Sequence, residues 1–160
     1  MDVARFVTDA SLDSLGRRLR FLGYDVITHR GARLEELFEA AARDGRVVLT
    51  LSGRRPRRWA TVPAVRVPRG DEAAAVREIA AAFAPGGALF SRCPRCNAAL
   101  VPRSSFEARG EVPGRVLRAG GPLRYCPGCG HWYWTGSHVE RIRAWLEAAL
   151  GRSLGGPAEG

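Results

Sequence analysis

The chain has 160 residues, of which 46 % are hydrophobic, and a formal net charge of +9 in which every basic residue is arginine and none is lysine. That apolar content supports a buried core and argues against wholesale disorder; no apolar run nears the ~20 residues of a membrane helix, so no membrane partner is expected. The start, Met1-Asp2-Val3-Ala4-Arg5, lacks the basic head and long apolar stretch of a secretion signal, and the expected location is cytoplasmic. A strongly basic surface attracts polyanions, above all nucleic acid, although an all-arginine composition rich in Ala, Gly and Pro is also what GC-biased codon usage writes.

In chain order, Val3 to Val7 reads as a short buried strand. Asp9 or Ser11 can cap the helix that follows, whose Leu12, Leu15, Leu19 and Leu22 share one face, with Arg17, Arg18 and Arg20 off that stripe. Gly23 is a natural helix stop, and Tyr24 to Thr28 reads as a second strand. Leu34 to Asp44 forms a second helix, buried through Leu34, Leu37, Phe38 and Ala41, and ended by Gly45. Val47 to Leu51 is nearly all apolar, as a central parallel strand is. Ser52 to Arg58 reads as a loop or short helix with Arg54, Arg55, Arg57 and Arg58; a short strand, Ala64 to Val67, and a helix from Asp71 to about Phe83 follow. This alternation predicts an α/β fold with a parallel sheet flanked by helices. No GxGxxG or GxxxxGK element follows the first strand, which argues against dinucleotide and P-loop sites. Pro85-Gly86-Gly87 breaks the pattern and divides the chain into an α/β domain (1–86) and a cysteine-bearing module with a C-terminal helix (88–152), with a disordered tail (153–160).

Cys93-Pro94-Arg95-Cys96 and Cys126-Pro127-Gly128-Cys129-Gly130 are two CxxC knuckles, and they use every cysteine in the chain. Each tight turn presents two thiolates to one side of a tetrahedral ion, and two turns complete a four-sulfur zinc site. In a reducing compartment this is favoured over disulfides or paired redox sites. Iron is a minor alternative, because the second knuckle resembles rubredoxin whereas the first has Asn97 where a glycine would follow. Four thiolates fill the coordination shell, so the zinc is expected to be structural. The stretch from Pro102 to Arg124 reads as ribbon strands joined by a long loop. His131 and His138 are disfavoured as ligands, and Trp132, Tyr133 and Trp134 are assigned to packing ahead of base stacking. Ser137 to Glu140 has the pattern of a capping box before a last helix with Val139, Ile142, Trp145, Leu146 and Ala149 on one side.

Asp9 stands just past the first strand, where parallel α/β sheets bind ligands. It is either a Mg²⁺ or Mn²⁺ ligand for phosphodiester hydrolysis or a plain helix cap. Several blocks carry a resemblance: Phe6-Val7-Thr8-Asp9 leading to Leu15-Gly16-Arg17-Arg18-Leu19-Arg20-Phe21-Leu22-Gly23-Tyr24-Asp25, then Gly45 to Thr50, then Phe90 to Asn97, then Cys126 to Gly130 with Tyr133 to His138. In order and spacing they resemble the Mut-seven C-terminal RNase family, a PIN-like nuclease domain followed by a zinc ribbon, over nearly the whole chain. The resemblance implies a metal-dependent ribonuclease. Asp9 would be its first acid, Glu35 or Glu36 the next, and Asp71 a late one unless it only caps its helix.

The family's Thr-x-Asp element reads Thr50-Leu51-Ser52 here, so a hydroxyl stands where a carboxylate is expected. That weakens a cation site, and the neighbouring arginines disfavour a divalent cation further while remaining good phosphate ligands. Two expectations follow. One is an RNase with a reduced acidic site. The other is a catalytically weakened or inactive module that binds RNA, or docks on a protein, with Arg17, Arg18, Arg54, Arg55, Arg57 and Arg58 holding phosphates.

Overall fold

Phe6, Val7 and Thr8 are all fully buried, because the strand they form is covered on both faces. The structure, a computed structural model, describes residues 3–155. Strand β1 (Arg5–Asp9) pairs in parallel with β2 (Asp25–His29) and with β3 (Val47–Thr50), and β4 (Ala64–Arg66) completes the order β2-β1-β3-β4. Side chains alternate across this sheet. Phe6, Val26 and Leu49 join a core with Leu15 and Leu19 of α1 (Asp13–Phe21) and with Val76 and Ile79 of α3 (Glu72–Ala82). Val7 and Val48 meet Leu37, Phe38 and Ala41 of α2 (Leu34–Asp44) on the other face.

The expected α/β architecture with a parallel, helix-flanked sheet is what the chain adopts. All four strands differ in their bounds; β3 ends at Thr50 and β4 at Arg66, each one residue short of its expected end. The first strand runs from Arg5 to Asp9 instead of from Val3 to Val7, so Asp9 is its last residue. The ladder continues past the apolar run because Thr8 and Asp9 still pair with Thr28 and His29. The second starts at Asp25, because the Tyr24 amide closes α1: it donates to the Leu19 carbonyl at 3.0 Å while Gly23 donates to Arg20 at 3.0 Å. Gly23 sits at φ +96°, and a Cβ there would lie 2.2 Å from the Gly87 carbonyl oxygen, so only glycine fits.

The second half holds an antiparallel sheet of β5 (Val101–Arg103), β6 (Leu123–Tyr125) and β7 (Trp132–Trp134). The stretch expected as a long loop contains helix α4 (Gly114–Ala119) and a small core of Ala108, Val112 and Leu123, on which Trp132 and Trp134 pack. Tyr133, pointing the other way, meets Phe90 edge-on at 5.5 Å. Helix α5 (Ser137–Leu150) is capped by the backbone of Gly136 with no side-chain cap, so the expected capping box does not form: Ser137 is already inside the helix. Leu146, Val139, Ile142 and Trp145 of α5 join the core around Phe6 and Ile79. Of the tail, Leu154 packs on that core and its amide donates to Glu147, while 156–160 lie outside the described residues.

Arg20 corrects the reading that placed it off the buried stripe: it is 4 % exposed. The first cysteine knuckle covers that side of α1. The Arg20 guanidinium donates to the Val26 carbonyl at 2.7 Å and to the Pro94 carbonyl at 2.8 Å. Asn97 sits nearby at φ +71°, the left-handed position that asparagine tolerates best after glycine. Its side-chain oxygen accepts the Val26 amide at 3.0 Å, and its amide donates to Asp25 at 2.7 Å. Arg46 also donates to Asp25, at 2.7 Å.

Candidate functional site

In the order β2-β1-β3-β4, the connection through α1 leaves β1 toward one side and the connection through α2 crosses to the other. The carboxyl ends of β1 and β3 therefore border the crevice at which such sheets bind ligands. A cleft of about 400 Å³ opens there, and its polar lining includes Asp9, Ser11, Arg33, Thr50, Ser52 and Arg69. Asp9 accepts the Ser11 amide at 2.9 Å and also the Ser11 hydroxyl, so it caps the turn that leads into α1. Thr50 accepts the Ser52 amide at 3.0 Å, and the Ser52 hydroxyl accepts the Arg54 amide at 3.0 Å. These bonds turn the chain sharply after β3. Arg54, Arg55, Arg57 and Arg58 follow on that loop, all exposed.

The other expected acids are spread around this edge. Glu35 is exposed, and it does not line the cleft. The Glu36 carboxylate lies 3.8 Å from Nε2 of His29, which is the in-register neighbour of Asp9. Asp71 caps α3 by accepting the Ala74 amide at 2.9 Å, and it lines an adjoining cleft with Ser11, Leu51 and Glu72. Among the described residues, no three acidic or histidine side chains converge as cation ligands; the four cysteines form the one group that does. Asp9 is the single carboxylate lining its cleft, which it shares with two arginines, a donor set that does not fit a carboxylate-bound Mg²⁺ or Mn²⁺. Arg33 and Arg69 escaped the sequence reading. The available signal was position, since each stands in a loop shortly after the carboxyl end of a strand.

The cysteines do meet. The Sγ atoms of Cys93, Cys96, Cys126 and Cys129 all lie within 4.8 Å of one another, with 3.7 Å from Cys93 to Cys129 and 3.3 Å from Cys96 to Cys126. Zinc–sulfur bonds of ~2.3 Å put tetrahedral sulfurs ~3.8 Å apart, whereas a disulfide needs ~2.05 Å. The four residues therefore fit one zinc ion, which would crosslink the two knuckles. Both knuckles close alike: the Asn97 amide donates to Cys93 at 2.9 Å and the Gly130 amide to Cys126 at 2.8 Å, with Asn97 and Gly130 both at positive φ. Burial opposes ionisation of Cys93, but the Tyr133 hydroxyl at 3.1 Å and the Cys96 and Arg95 amides outweigh it and bring the thiol down to about 7. Burial, with Cys126 and Cys93 alongside, pushes Cys96 up to about 12.

Residues 4–146 match the Mut7-C RNAse domain family. The chain belongs to that family. No curated protein and no solved structure matches it. For this Mut7-C RNase domain, the match joins the sheet and the cysteine module in a single unit of sequence. Its remaining expected phosphate ligands lie on α1. Arg17 is exposed, while Arg18 is half-buried, with an ion pair to Glu72 at 2.5 Å and its guanidinium stacked 3.5 Å from the Trp145 ring. Among the described residues, no helix is long and apolar enough to cross a membrane.

Proposed function

We propose that this Mut7-C domain binds single-stranded RNA through its phosphates along the carboxyl edge of the parallel sheet, with little or no hydrolysis there. The observation that carries this reading is the cleft lining: one carboxylate, Asp9, stands beside Arg33 and Arg69, with the four loop arginines just beyond Ser52. Guanidinium forks bind phosphate oxygens in pairs and remain charged at any physiological pH. A neutral hydroxyl at Ser52 leaves phosphate unrepelled where a carboxylate would oppose it.

The second reading is metal-dependent RNA hydrolysis. It is favoured by membership of an RNase family and by the place of Asp9 at the sheet's switch point. The two separate in one experiment on zinc-loaded protein with a labelled single-stranded RNA, with and without Mn²⁺ or Mg²⁺. Binding that weakens steeply with salt, with no cleavage, is the expected result. Cleavage by the parent that Asp9→Asn abolishes would establish the hydrolytic reading instead. Affinity independent of salt would point to a protein partner.

A further inference from the structure

A second basic cavity lies away from the sheet edge. It is a groove of about 400 Å³ between α1, the first cysteine knuckle and the start of α5. Ser14, Arg17 and Arg18 come from α1, Arg95 from the first knuckle, His131 from just after the second, and His138 from the first turn of α5. Tyr133 and Ile142 supply apolar surface over the buried Phe21, and no carboxylate lines the groove. Arg18 is already engaged by Glu72 and Trp145. Arg17 and Arg95, by contrast, are exposed and have no side-chain hydrogen bond or ion pair with any described residue.

The walls do not depend on a ligand for their position. Arg20 of α1 binds the Pro94 carbonyl, and this ties the knuckle that carries Arg95 to the helix that carries Arg17. A zinc tetrathiolate formed by the four cysteines would add two negative charges nearby, which would oppose an anion. The buried guanidinium of Arg20 interacts favourably with Cys93 and Cys96 and offsets part of that charge from within. Arg17 and Arg95 remain for an external anion. Two exposed guanidinium groups lining one cavity of small-ligand size, beside the Tyr133 ring, match a phosphate joined to a flat base.

We propose that this groove is a nucleotide-phosphate site, held by Arg17 and Arg95, that takes either a phosphate of an RNA strand or a free nucleotide. It stands apart from the sheet-edge cleft and does not depend on the reading of that cleft.

The test uses the full zinc-loaded chain, a fluorescent single-stranded RNA with a 5′-phosphate, and AMP as competitor. The double variant Arg17→Ala/Arg95→Ala is compared with Arg54→Ala/Arg57→Ala on the sheet-edge loop. Both pairs are exposed, and zinc content with circular dichroism checks that each variant is folded. The groove variant is expected to raise the Kd for RNA or for AMP by about tenfold or more; for RNA, the salt slope should fall by about 1.4, as for two lost contacts on a single strand. AMP that competes with RNA and binds the parent directly assigns a free nucleotide, and AMP without effect assigns a strand phosphate. An unchanged Kd for both probes in the folded groove variant overturns the proposal, whatever the loop variant does. Loss in the loop variant alone would leave the sheet-edge reading standing without this one.

Discussion

The side-chain amide of Asn97, on the first cysteine knuckle, donates to the carboxylate of Asp25, on the edge strand of the parallel sheet, at 2.7 Å. The same side chain accepts the Val26 amide, and its backbone lies at φ +71°. One residue therefore shapes the zinc knuckle and fastens it to the sheet. Asn97→Gly keeps the backbone and removes both bonds. The expected loss is about 1–3 kcal/mol, the usual cost of leaving buried polar groups unpaired. Asn97→Ala should lose more, since alanine resists the left-handed region. Chemical unfolding of the zinc-loaded variants checks both values and their order.

The Asp25 carboxyl sets a pH dependence. Burial alone would raise its pKa, but hydrogen bonds from Arg46 and Asn97, with the charges of Arg46 and Arg92, hold it below the usual aspartate range. A carboxyl depressed in the folded state stabilises the protein above its unfolded pKa of about 3.9, and this contribution is lost as pH falls through the lower folded value. Stability should therefore drop on acidification below about pH 4, and Asp25→Asn should flatten that part of the profile. Urea midpoints measured across the acid range decide it.

Removing the metal should act locally first. Each CxxC turn closes on its own, and the four sulfurs are where an ion would join the two knuckles. Cys126→Ser, or a strong chelator, is expected to take bound zinc from one equivalent toward zero. The near-ultraviolet signal of Trp132 and Trp134 should fall with it, since both strands beside the second knuckle lose their anchor. Elemental analysis and near-ultraviolet circular dichroism read the two effects.

Asp9 and Asp71 hold cap positions, and substitutions there separate structure from chemistry. Asp9→Asn preserves a capping oxygen and should leave stability nearly unchanged, which makes it the clean control for any RNA cleavage. Asp71→Ala removes the bond to the Ala74 amide and should cost about 1 kcal/mol. Thermal unfolding gives both, and RNA affinity should not change with Asp71→Ala.

The parts of the fold written in local pattern were legible in the sequence. The apolar runs of β1 and β3 announced buried parallel strands, Gly23 and Gly45 marked helix ends, and the paired cysteine knuckles marked a metal centre. What escaped was set by tertiary partners. Arg20 looked like a surface residue because nothing local shows that a knuckle more than seventy residues away would offer it the Pro94 carbonyl. The small core of Ala108, Val112 and Leu123 was hidden in a stretch rich in Gly and Arg, whose single apolar residues reveal no period. The acids were the hardest case. Asp9, Glu36 and Asp71 each stand near the carboxyl edge, but whether carboxylates converge depends on side-chain directions that spacing does not encode. Here Asp9 and Asp71 turn to backbone amides and Glu36 lies toward His29.

Helix α5 has a consequence for how the chain is made. Leu146 is fully buried in the same core as Phe6, Val26 and Ile79, so the sheet face begun at the first strand stays incomplete until the last helix leaves the ribosome. At about 5–20 residues per second the interval lasts roughly 7 to 30 seconds. Over that time the nascent chain carries an uncovered apolar surface, and completion of the four-cysteine cluster at Cys129 and the arrival of α5 fall within the same stretch of synthesis.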